Sequence, residues 1–75
     1  MTTNYQLIVR QLEDLVNGDA KSREKICKED NLSHVERAKI LGSHCQYVRG
    51  LNEALRVVAR LNNEEYKPIS PMFKV

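Results

Sequence analysis

The chain has 75 residues, 41% of them hydrophobic, and its 12 basic and 10 acidic residues leave a formal net charge of +2. That length makes one domain at most, near the size at which a single core leaves only about 3–5 kcal/mol of net stability. The near-balance of charge argues against nucleic acid as the default partner, no apolar run approaches membrane-spanning length, and no stretch resembles a secretory leader, which predicts a cytoplasmic protein with Cys27 and Cys45 kept as thiols.

Thr3 followed by Gln6 matches a capping box, in which each side chain satisfies the other residue's main-chain N–H. Tyr5, Ile8, Leu12 and Leu15 then recur at three- and four-residue steps, with Val9 and Val16 widening the apolar side. This predicts a first helix over about residues 4–16, closed by Asn17-Gly18 as a left-handed stop. Asp19 next caps a second, shorter helix through about Glu29. Its apolar residues are only Ala20, Ile26 and Cys27, among Lys21, Arg23, Glu24, Lys25 and Lys28, so it reads as a solvated connection.

The longest periodic stretch runs from Ser33, paired with Glu36 in a further capping box, to Leu61. Leu41, Val48 and Leu55 recur every seven residues, and His44, Leu51 and Val58 follow each of them by three. Ile40, Tyr47, Ala54 and Leu61 flank this stripe on one side, and Ala38, Cys45 and Ala59 on the other. Continuous, such a helix is roughly 40 Å long at 1.5 Å per residue, more than two short helices can cover. The stripe Leu41, His44, Val48, Leu51, Leu55, Val58 is therefore the expected interface of a homodimer or higher oligomer, with a bend expected at Gly42-Ser43. His44 is the polar residue that fixes register; facing its symmetry mate, it would weaken association when protonated near pH 6.

Residues 1–63 thus form a helical oligomerisation domain, and residues 64–75 an extended tail, because Pro68 and Pro71 stand too close together for regular helix. Ile69, Met72 and Phe73 give that tail an apolar character, suited to packing on its own or a partner subunit or to binding another protein.

Residues for chemistry are scarce. Cys27, His34, His44 and Cys45 are zinc-ligand types, but His44 and Cys45 are neighbours on a helix and point about 100° apart, so no metal is expected. No nucleophile elbow or phosphate loop is present, which predicts neither catalysis nor a cofactor. Lys39, Arg49, Arg56 and Arg60 are spaced along one outer side of the long helix and are the candidates for contact with a nucleic-acid backbone. Glu53 interrupts them and offers Arg49 and Arg56 an ion-pair partner instead.

The segment Tyr47-Val48-Arg49-Gly50-Leu51-Asn52-Glu53-Ala54-Leu55, followed by more helix and a proline-containing tail, resembles the long helix of small accessory proteins encoded by tailed bacteriophages. The resemblance implies a dimer-forming helical hairpin that docks on a host or phage protein. A fainter likeness is to the helical dimers with which small RNA viruses mask double-stranded RNA. The sequence thus predicts an all-α, non-enzymatic interaction or regulatory protein that binds itself and another protein, with duplex binding as the alternative.

Overall fold

In a computed structural model the described residues are 3–29 and 31–72. They form two antiparallel helices, α1 (Asn4–Glu29) and α2 (His34–Leu61), with no strand among them. The expected starts are present. Thr3 and Gln6 exchange hydrogen bonds, Gln6 N–H to Oγ1 at 3.1 Å and Thr3 N–H to Oε1 at 3.0 Å, and Ser33 accepts from the Glu36 N–H at 3.2 Å. The end of α2 is a Schellman closure: Asn63 takes a left-handed φ of 53°, its N–H bonds Arg60, and the Glu64 N–H reaches back to Ala59 at 2.8 Å.

The separate second helix is not formed. α1 passes straight through Asn17-Gly18, and Gly18 keeps a negative φ. The reason is tertiary: Val16 (1% exposed) and Ala20 (5%) bracket Gly18 and are the buried residues of α1, so a stop there would pull the two apart. A continuous partner for α2 outweighs a local stop signal worth about 1 kcal/mol. α2 likewise runs unbroken through Gly42-Ser43, and the Ser43 hydroxyl bonds the Lys39 carbonyl one turn back at 2.9 Å.

Because α1 is as long as its partner needs, the stripe expected to require a second copy is used inside the chain. His44, Val48 and Leu55 are buried, as is Ala59, while Leu41, Leu51 and Val58 are half-buried. Interhelix bonds fix the register: the Arg23 guanidinium to the Ile40 carbonyl at 3.4 Å, Asp19 to His44, and Arg37 to the Cys27 carbonyl at 3.3 Å. After α2 the chain reverses at Asn62-Asn63 and runs back along the hairpin without regular structure. The Cα trace measures 45 × 20 × 14 Å, little thicker than one helix.

Candidate interaction faces and the buried histidine

His44 is the one buried polar side chain among the described residues, with no exposed surface. Its Nδ1 lies 2.7 Å from Oδ2 of Asp19, and the same oxygen accepts from Nε of Arg23 at 2.8 Å. Its Nε2 accepts the main-chain N–H of Met72 at 3.1 Å. A nitrogen that accepts carries no proton, so with Nε2 as acceptor a ring hydrogen sits on Nδ1, directed at Asp19. Burial pushes the Asp19 carboxyl up, but the hydrogen bonds from Arg23 and His44 and the charge of Arg23 outweigh it, leaving the group below its ordinary 3.8. Asp19 and Arg23 were expected in a solvated connection; they join the two helices instead. The signal in sequence was the i,i+4 spacing of Asp19 and Arg23 together with a histidine in an aliphatic stripe.

The tail is held by its backbone. Asn52 grips Ile69 with both amide atoms, accepting its N–H at 2.8 Å and donating to its carbonyl at 2.9 Å. The Tyr5 hydroxyl approaches the Glu65 carbonyl at 3.4 Å. Between Pro68 and Met72 only Ile69, Ser70 and Met72 possess an N–H, and two of those three are taken up by Asn52 and His44. The spacing is self-consistent: eight residues of α2 from Asn52 to His44 rise about 12 Å, and three extended residues from Ile69 to Met72 span about 10 Å. Beside the tail lies an open cleft of about 440 Å³ lined by Val9, Glu13, Val16 and Asn17 of α1 and by Lys67, Ile69 and Met72.

The tail therefore occupies one broad face of the hairpin, the side of Val9, Glu13 and Asn17 on α1 and of Cys45, Arg49 and Asn52 on α2. At about 100° per residue, the opposite shoulders are Ile8, Leu15 and Ile26 on α1 and Leu51, Ala54, Val58 and Leu61 on α2. Here Leu15 is 49% exposed, Ile26 43% and Leu61 77%. At the same angles stand Tyr47 on α2 and Asp19 and Ser22 on α1, so the open face is apolar in patches on both helices.

The predicted residues divide accordingly. Of the stripe, His44, Val48 and Leu55 are core, and Leu51 and Val58 reach the edge of the open face. Arg49, Arg56 and Arg60 are exposed and fall within about 40° of each other on the tail side of α2, whereas Lys39 stands apart from them. Arg56 is ion-paired with Glu53 at 3.0 Å. Ile69 is half-buried, Met72 is exposed, and Phe73 lies outside the described residues. Cys27 and Cys45 sit on different helices and form no disulfide. Among the described residues no three His, Cys, Asp or Glu side chains converge as a metal site would need, and no helix is long and apolar enough to cross a membrane. No family model, curated protein or solved structure matches the chain.

Proposed function

We propose that the chain is a non-enzymatic interaction protein that works as a homodimer, joined through the open face, and presents its tail-bearing sides to another protein. The observation that carries this reading is the asymmetry of the hairpin: one broad face is covered by residues 64–72, while on the other Leu15, Ile26 and Leu61 stand exposed. Two helices make a single layer, and a stable domain needs a second. The chain exposes 5856 Å² for its 8.7 kDa. A compact monomer of that mass exposes about 4,700 Å². The excess of about 1,100 Å² exceeds the roughly 800 Å² each partner contributes to a standard interface. A two-fold pairing of open faces makes a four-helix bundle, with Leu15, Ile26, Leu51 and Val58 of each copy in its centre.

In that arrangement the tails and the exposed Arg49, Arg56 and Arg60 face outward, free to dock on a partner. Sedimentation equilibrium tests the first half of the proposal. The wild type is expected to run as a dimer at micromolar concentration and Leu15→Glu as a folded monomer; a monomeric wild type defeats it. Capture of partners from bacterial lysate, with and without nuclease, tests the second half. Retention after nuclease supports protein docking. Loss after nuclease, with duplex binding that falls steeply with salt, assigns the arginine stripe to a phosphate backbone instead.

A further inference from the structure

The bond between Met72 and His44 ties the position of the tail to the protonation of a buried ring. Nε2 can accept the Met72 N–H only while it is unprotonated; a proton there sets donor against donor. The other ring nitrogen responds in the opposite sense. Nδ1 already donates to Asp19, and an imidazolium would make that bond charge-assisted and stronger. Gaining a proton thus strengthens the ring's bond to α1 and breaks its bond to the Met72 N–H. We propose that residues 70–72 are a proton-operated strap: neutral His44 holds the strap against the hairpin, and protonation at Nε2 releases it and widens the cleft between the tail and α1.

The surroundings favour a local release. From α1, His44 meets Asp19 and, through the shared Oδ2, Arg23, with Glu13 further along the cleft. From α2 its neighbour is Cys45, and Arg49 and Glu53 border the tail's other edge. From the tail come the Met72 main chain and, across the cleft, Lys67. Arg23 shares the carboxylate oxygen that Nδ1 faces. Departure of the strap admits water to a ring that has no exposed surface, and water solvates a charged ring, so release and protonation reinforce each other. Asn52 contains no titratable group, so its two bonds to Ile69 set the upstream limit of the released segment. Histidine is the side chain that ordinarily changes charge between pH 5 and 8. The cleft that opens is lined by Val9 and Val16.

The test is nuclear magnetic resonance of the full chain from about pH 8 to about pH 5. It follows the His44 ring shift, the Met72 amide exchange rate corrected for its intrinsic pH dependence, and helix content by circular dichroism. Protection of Met72 is expected to fall at least about tenfold in step with ring titration, while helix content stays constant. His44→Gln, whose Oε1 accepts at the same place without titrating, is expected to keep Met72 protected throughout. Met72→Pro removes the strap's donor without touching the core. By reciprocal linkage its His44 must then take up a proton at higher pH than in the wild type. A ring that titrates with Met72 protection unchanged, a ring that stays neutral down to about pH 4, a Met72→Pro ring that titrates as in the wild type, or helix lost in parallel with the tail would each overturn the strap.

Discussion

One broad face of the hairpin, the side of Val9, Glu13, Asn17, Cys45, Arg49 and Asn52, is covered within the chain, and the opposite one is not. The difference lies in two polar side chains. On the covered face Asn52 and His44 offer acceptors to an extended backbone, so the tail is laid down with the Ile69 and Met72 N–H groups both paired. The open face presents Ile8, Leu15, Ile26, Leu51, Ala54, Val58 and Leu61, which offer nothing to a main-chain N–H. An extended segment laid there would leave its amides unpaired at about 1–3 kcal/mol each when buried. Aliphatic shoulders of this kind suit another helix, whose amides are already paired along its own axis.

The comparison can be broken at its shared centre first. Leu55 is fully buried between both faces, and Leu55→Ala is expected to cost about 2–5 kcal/mol, read as a shift of the urea midpoint with unchanged slope. Asp19→Ala leaves the Nδ1 hydrogen of a fully buried ring and the Nε–H of Arg23 without their acceptor, an expected loss of about 1–3 kcal/mol. The same residue sets an acid limb. Because its folded value lies below 3.8, its contribution is present above that value and lost as pH falls from there through the folded value. Asp19→Asn should flatten the fall of stability in that acid range, read as urea midpoints across it.

Smaller changes separate the faces. Asn52→Ala affects only the covered one: about 1 kcal/mol is lost, and Ile69 amide protection drops while the dimer persists in sedimentation. Leu15→Glu affects only the open one. Its effect on the monomer should stay within about 0.5 kcal/mol, and the concentration dependence of the melting temperature should vanish. Asn63→Gly relaxes a left-handed residue common to neither face and should add a few tenths of a kcal/mol, seen as a small rise in melting temperature. A larger gain there would show that the turn strains the tail.

How much of this was legible follows from the range of each interaction. The starts expected at Thr3 and Ser33 act over three residues, as the stop formed at Asn62-Asn63 acts over five, and the structure has both starts. Asn17-Gly18 carries the same kind of stop signal, but Val16 and Ala20 must both reach α2, a demand invisible within a short window. Splitting α1 in two makes the long helix look under-covered and points its whole stripe at a partner copy; in the structure His44, Val48 and Leu55 of that stripe are buried within the chain, and Leu41, Leu51 and Val58 are half-buried. The roles of Asn52, Asp19 and Arg23 depend on pairs 17 to 25 residues apart, for which a single sequence offers only residue type and position.

The prolines of the tail bear on solubility as well as on shape. An extended segment lying on a helical surface keeps one edge toward solvent, and such an edge invites strand addition from other chains. With Pro68 and Pro71 bracketing Ile69, and the Ile69 N–H and carbonyl both spent on Asn52, that edge holds too few unpaired amides to template a growing ladder. Replacing both prolines would return two main-chain donors to that edge.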